Sequence, residues 1–180
     1  MAEGFKEKIA MERAKPAAQR DETKKTEERT ISMKFSKKSR YGLRALIDLS
    51  VNSKNAHVSL CSIAERNNIS LQYLEQVFAS LRRAGIIKSV KGPQGGYLLN
   101  NAPNEITVAE ILRALEGDYH IEDESVVENS SYGGISITIQ NLVVDKVNEK
   151  LDEVLKNLTL ADLEKEYSDY YKDGLDMYYI

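Results

Sequence analysis

One cysteine and two histidines are all that this 180-residue chain holds of the side chains that most often ligate metals. The lone thiol, Cys61, excludes a disulfide within the chain and suits a reducing compartment. Neither His57 nor His120 has a cysteine or carboxylate at a metal-ligand spacing, and no nucleophile motif occurs, so no metal site, catalytic residue or enzyme activity is expected. Lys91-Gly92-Pro93-Gln94-Gly95-Gly96 is rich in glycine, but it lacks the Gly-Lys-Ser/Thr ending of a phosphate loop and no helix follows it. No apolar run approaches the ~20 residues that span a bilayer, and no charged-then-apolar-then-small pattern opens the chain. A cytoplasmic protein without membrane association is expected.

The length suits one ordinary domain, or a small domain with an appended segment. A net charge of −3 conceals a strong asymmetry along the chain. Residues 33–100 carry eleven Lys and Arg against three Asp and Glu, a net of +8, whereas residues 101–180 carry six against eighteen, a net of −12. A basic front half is the electrostatic footprint of a nucleic-acid binder, and an acidic back half should avoid DNA.

Residues 70–97 read as the DNA-reading unit. Ser70 is a good N-cap, and Leu71, Leu74, Phe78 and Leu81 recur at helical spacing as one buried stripe. At ~100° per residue Gln72, Tyr73, Glu75, Gln76 and Arg83 share the opposite arc, and Gly85 supplies a left-handed stop. Amide, phenol and carboxylate groups on that arc can hydrogen-bond to base edges. Residues 86–90 and 97–99 have strand character, and the turn formers between them make a wing. The tip glycines admit a close approach to a phosphate backbone, with Lys91 supplying charge.

Residues 1–32 have almost no large apolar residue after Ile9 and cannot form a core, so they read as a disordered leader or an upstream translation of a start at Met33. A first helix is expected over 39–53, with Leu43, Leu46 and Ile47 inside and Lys37, Lys38 and Arg40 at its start, where a nearby phosphate would suit the positive charges. A second helix starts at the Ser59 cap, places Cys61 in its packed interior and ends at Asn67-Asn68. Followed by the reading helix, it forms a helix-turn-helix. Thr107-Val108-Ala109-Glu110 is a capping box for a helix ending at Gly117, and residues 118–134 read as a mobile loop. Val143, Val147, Leu151, Val154 and Leu158 then form a narrow seam on a long helix, which serves either dimerisation or packing within the chain. Thr159 opens a short final helix, and 168–180 is a tyrosine-rich tail. The fold class is therefore mainly α with a small β-wing: a winged helix-turn-helix domain (33–100), a dimerisation region with a long helix (101–167) and a tail.

Met33-Lys34-Phe35-Ser36, Ser39-Arg40-Tyr41-Gly42-Leu43, Ser62-Ile63-Ala64, Ile69-Ser70 and Tyr73-Leu74-Glu75-Gln76 together carry a family resemblance. It continues through Leu81-Arg82-Arg83-Ala84-Gly85, Ser89-Val90-Lys91-Gly92-Pro93, Gly95-Gly96-Tyr97-Leu98-Leu99 and the helix from Glu105-Ile106-Thr107 to Leu115-Glu116-Gly117. Over residues 33–167 the chain resembles the Rrf-two family of winged helix-turn-helix transcriptional regulators. Some members hold an iron–sulfur cluster through three cysteines in the loop before the dimerisation helix; residues 118–134 contain none, so no cofactor is expected. The cysteine-free branch includes repressors of cysteine metabolism, which the chain resembles again in its last residues, Met177, Tyr178, Tyr179 and Ile180. The resemblance implies a homodimeric repressor of cysteine and sulfur-assimilation genes that docks O-acetylserine thiol-lyase, its corepressor, on those four residues.

Double-stranded DNA is the expected ligand of Ser70, Gln72, Tyr73, Glu75 and Gln76 on the reading helix, Lys91 and Gly92 on the wing, and Arg40 and Tyr41 on phosphates. The alternatives are a regulator of another pathway with a small-molecule or redox signal, and a protein-interaction adaptor that no longer binds DNA.

Overall fold

Helix α1 spans Lys37–Asn52 and is capped by Ser36, whose Oγ accepts the backbone N–H groups of Lys38 and Ser39. The computed structural model describes residues 35–54, 56–92, 95–125 and 133–176, for 171–176 the backbone alone. The expected leader, 1–32, and the expected docking residues Met177, Tyr178, Tyr179 and Ile180 lie outside the described residues. α1 starts two residues before the sequence-based boundary because Ser36 supplies the cap, which leaves Ser39 inside the first turn. It is buried, and its hydroxyl donates to the Glu116 carboxylate at 2.5 Å, joined there by the hydroxyl of Ser36. Leu46 is fully buried as expected, but Leu43 and Ile47 are half-buried, and Ala45 and Leu49 complete the inner face.

Helix α2 (Leu60–Asn67) follows the Ser59 cap and closes on Asn68, which takes the left-handed conformation at φ 51°. Buried Ile69 and the Ser70 cap then lead into α3, Leu71–Arg83. α3 buries Leu74, Val77, Phe78 and Leu81, all without solvent exposure. Leu71 departs from expectation: it is 39% exposed, because it precedes the packed layer and borders an open depression between α2 and α3. Cys61 is likewise exposed rather than internal. The buried residues of α2 are Ile63 and Ala64, and Cys61 stands two positions earlier, ~200° round the helix from Ile63.

α3 stops where Gly85, at φ +77°, turns the chain. The Gly85 N–H donates to the Arg82 carbonyl, and the Ile86 N–H to the Leu81 carbonyl, both at 3.0 Å. This paired closure satisfies carbonyls that the helix end leaves open. Strands β1 (Ile87–Val90) and β2 (Gly96–Leu99) form an antiparallel ribbon in the register Ile87↔Leu99 to Val90↔Gly96. Val58, from the segment before α2, bridges Tyr97 through two backbone hydrogen bonds of 2.8 and 3.0 Å. The wing is therefore anchored to the helix-turn-helix by main chain.

Helix α4 (Val108–Glu116) opens on the expected Thr107–Glu110 capping box. It is buried on two sides. Ile111 and Leu115 join the main core of α1, α2, α3 and β1, whereas Val108, Ala109 and Leu112 form a second cluster with Tyr119. Leu151, Leu155, Leu158 and Leu163 pack against that second cluster.

The long helix is longer than expected: α5 (Gly133–Ile139), a π-helical turn (Gln140–Val144) and α6 (Asp145–Asn157) continue one another. Its first turns escape the sequence pattern because Ile135, Ile137 and Ile139 alternate with period two, which is not a helical signal. The expected seam is split by the fold. Val143, Val147 and Val154 are exposed, whereas Leu151 and Leu158 face the second cluster. Helix α7 (Leu160–Asp176) is seventeen residues long, where a short helix and a tail from Ser168 were expected. It starts on a reciprocal pair between Thr159 and Asp162, and fully buried Leu160 belongs to the main core. Thr107 and Thr159 form an antiparallel bridge, so the starts of α4 and α7 lie side by side.

Candidate nucleic-acid interface

The described arrangement is a tri-helical helix-turn-helix with a wing. On α3, Gln72, Glu75 and Gln76 are exposed in the first two turns, with Arg82 and Arg83 exposed at the end. Ser70 is exposed, and its hydroxyl caps α3 by accepting the Tyr73 N–H at 3.3 Å. Tyr73 is not a free member of the polar arc. It is half-buried and meets Tyr41 of α1 edge to face, ring centroids 5.6 Å apart. The Arg44 guanidinium lies 5.9 Å from the Tyr41 ring and donates to the Asn67 carbonyl at 3.1 Å. Arg44 thereby neutralises the negative end of α2 while holding α1 against the reading unit.

Asp48 ties the same two helices together. Its carboxylate accepts from Arg66 at 2.5 and 2.9 Å and from the Asn67 amide at 2.9 Å. With α1, α2 and α3 clamped in this way, the exposed arc of α3 is presented by a rigid frame.

Among the described residues, most of the exposed cations of the basic front half have no acidic partner. Lys37, Arg40, Arg82, Arg83, Lys88 and Lys91 are all exposed, and none forms a salt bridge among the described residues. By contrast, Lys150 and Lys156 in the acidic half are paired with Glu153 and Asp152. Unpaired cations are available to phosphates, which release counterions when neutralised. Lys38 is an exception. Its Nζ donates to the Leu115 carbonyl at 2.6 Å, so it caps the C-terminus of α4, and no phosphate is needed to explain it.

Lys91 and Gly92 sit at the wing tip, both exposed, with Gly92 at φ +130°. Gly95 and Gly96 have reasons inside the chain for being glycine. A Cβ on Gly95 would stand 2.5 Å from the Val90 carbonyl oxygen, and one on Gly96 would stand 2.6 Å from that of Val58.

A second polar cluster lies where the chain leaves α4, and the sequence spacing did not reveal it. His120 Nδ1 is 2.7 Å from Asp118, and its Nε2 is 3.1 Å from Asp152 on α6. Tyr119 donates its hydroxyl to Asp152 at 2.6 Å; burial, aided by that carboxylate, pushes the phenol up to about 12. Hydrogen bonds from Lys156, Tyr119 and His120 hold the Asp152 carboxyl well below the usual range. The cluster stitches the segment after α4 to the long helix.

The sequence model of the Rrf2 family, described as iron-dependent transcriptional regulators, matches residues 35–166. The chain belongs to the Rrf2 family. It is 38% identical over 148 residues to the HTH-type transcriptional regulator CymR of Bacillus subtilis, covering 82% of this chain and all of that one. It is 37% identical over 136 residues to the HTH-type transcriptional regulator IscR of Klebsiella pneumoniae (strain 342), covering 73% and 79% of the two chains. Among solved structures it resembles that of CymR, the global cysteine regulator of B. subtilis, with a TM-score of 0.62 and 38% identity over 74% of this chain and 97% of that one. These Rrf2 relatives are DNA-binding transcriptional regulators rather than enzymes, and the winged helix of this chain matches theirs. Among the described residues no helix is long and apolar enough to cross a membrane.

Proposed function

We propose that the chain is a cytoplasmic, homodimeric repressor of cysteine and sulfur-assimilation genes that reads a pseudo-palindromic DNA site. The observation that carries the DNA-reading part is the exposed Gln72–Glu75–Gln76 arc of α3, on a helix whose last turn carries Arg82 and Arg83, both exposed and without a salt bridge among the described residues. Gln72, Glu75 and Gln76 read base edges in the major groove, while Arg40 and Lys91, with Gly92 allowing close approach, contact the backbone. Tyr41 and Tyr73 brace α3 against α1 and reach phosphate from the rim; Ser70 does so after capping its helix. Ile135, Ile139, Leu142, Val143, Val147 and Val154 leave an exposed apolar stripe along the long helix, which supports pairing with a second copy. Half-sites then lie about one or two helical turns apart, at ~10 bp per turn.

The assignment to sulfur genes rests on the likeness to CymR, and O-acetylserine thiol-lyase as corepressor, docked on Met177, Tyr178, Tyr179 and Ile180, rests on the resemblance of that tail. A salt titration on a selected duplex tests DNA reading: log affinity should fall with log salt by about 0.9 per phosphate neutralised. Calorimetry with the thiol-lyase tests the partner. Loss of binding on deleting Ile180, with the dimer intact, supports docking; absence of binding by the intact chain removes it. The likeness to IscR supports a second reading, the same DNA-reading protein answering another signal.

The family description implies iron, but the donor set of this chain does not fit a thiolate-held cluster. Such clusters need several cysteines, and the only one here, Cys61, lies on α2. We infer that DNA binding proceeds without a cluster. Affinity unchanged by iron chelation, in a protein that carries no iron by elemental analysis, is the expected result.

A further inference from the structure

Leu71 is the apolar residue of α3 that the fold leaves uncovered. Leu74, Val77, Phe78 and Leu81 have no exposure, whereas Leu71 is 39% exposed in the first turn. At ~100° per residue it lies at the border of the buried stripe and the exposed arc, about 20° from Phe78 on one side and about 40° from Glu75 on the other, and the first turn of α3 leaves it open to solvent. It borders an open depression of about 510 Å³ between α2 and α3, which it lines together with Cys61, Ala64 and Ile69. First-turn residues of the second helix in a helix-turn-helix are the ones that reach base edges.

An apolar side chain in the major groove has one distinctive target, the C5-methyl group of thymine, because every other feature displayed there is a hydrogen-bond donor or acceptor. We propose that Leu71 is a specificity-determining residue that selects a thymine in each half-site by packing on its C5-methyl group. This rests on the DNA-reading role of α3. Leucine brings no charge to repel phosphate and no polar atom to be left unpaired against the methyl group. Burying that methyl group recovers apolar contact for a side chain that free protein leaves in water.

The test uses the full chain and a duplex site selected by it from a random pool, with each thymine replaced singly by uracil. Uracil pairs identically and lacks only the methyl group. At one thymine per half-site the replacement should weaken binding about fourfold, the equivalent of ~0.8 kcal/mol for a buried methyl group. In Leu71→Ala the same replacement should cost nothing, whereas in Gln76→Ala it should still cost about fourfold. Should Leu71→Ala fail to fold, Leu71→Asn, which keeps the length but not the apolar surface, is judged by the same comparison. Binding indifferent to uracil at every thymine, or a uracil penalty that survives removal of the leucine, overturns the proposal. Failure to enrich any sequence from the pool would instead sink the DNA-reading role, and the proposal with it.

Discussion

Gly96 lies so close to Val58 that a methyl group on its Cα would stand 2.6 Å from the Val58 carbonyl oxygen. Both partners are main chain, joined by the Val58–Tyr97 bridge, so neither can swing aside as a flexible side chain would. Gly96→Ala should therefore prise the wing from the segment before α2, at a cost of about 1–3 kcal/mol. A lower urea midpoint at unchanged slope is the expected reading, and an unchanged midpoint would contradict the close approach.

Asp48 holds α1 to α2 through Arg66 and Asn67, and its side chain is far less exposed than that of Arg66, 11% against 42%. Removing the carboxylate takes an acceptor from Arg66, Asn67 and Asn52 at once, whereas removing Arg66 leaves Asp48 its bonds from Asn67 and Asn52. Asp48→Ala should cost about 1.5–3 kcal/mol, and Arg66→Ala distinctly less. Equal losses in denaturant unfolding would show that the carboxylate is not the hub.

Glu164 of α7 accepts the Ser50 hydroxyl at 2.5 Å and pairs with Lys54 at 2.9 Å. Burial acts to raise its carboxyl pKa, but these hydrogen bonds outweigh burial and hold it below the usual value. A depressed pKa in the folded state means that the contribution is present above the ordinary carboxyl pKa, roughly 4.3, and is lost as pH falls through the folded value. Wild type should thus lose more stability on acidification than Glu164→Gln, which should be weaker at neutral pH and flatter in acid. Parallel curves from pH 6 to 3 would rule out this linkage.

The two sides of the long helix should respond differently to substitution. Leu142 is 60% exposed, and Leu142→Glu should yield a monomer by light scattering whose far-UV circular dichroism is unchanged. Leu155 packs on the second cluster, and Leu155→Ala should lower thermal stability before it alters association. A dimer that tolerates Leu142→Glu would remove the stripe as its interface.

Much of the candidate site was legible in the residues themselves. Ser59, Ser70, Thr107 and Thr159 mark helix starts, Gly85 marks a stop, and Gln72, Glu75 and Gln76 emerge on an open arc. These features depend on partners three or four positions away, so local spacing is enough to determine them. Charge asymmetry, the absence of cysteine between 118 and 134 and the turn formers of the wing are likewise properties of the chain alone.

Tertiary structure decided which side of each helix is covered. Ser39 spends its hydroxyl on Glu116 and leaves capping to Ser36; Lys38 closes α4; Cys61 faces outward; Tyr73 leans on Tyr41; and Leu71 loses its cover at the edge of the core. Each of these outcomes turns on what the fold places beside the residue, whether a group 77 positions away, as for Ser39 and Glu116, or open solvent at a layer's edge. The long helix shows the same division. Its apolar spacing called for a helix, but only the arrival of α4 on one side could separate Leu151 and Leu158, which it covers, from Val143, Val147 and Val154, which it leaves exposed, because hydrophobic burial is satisfied by whichever surface comes within reach.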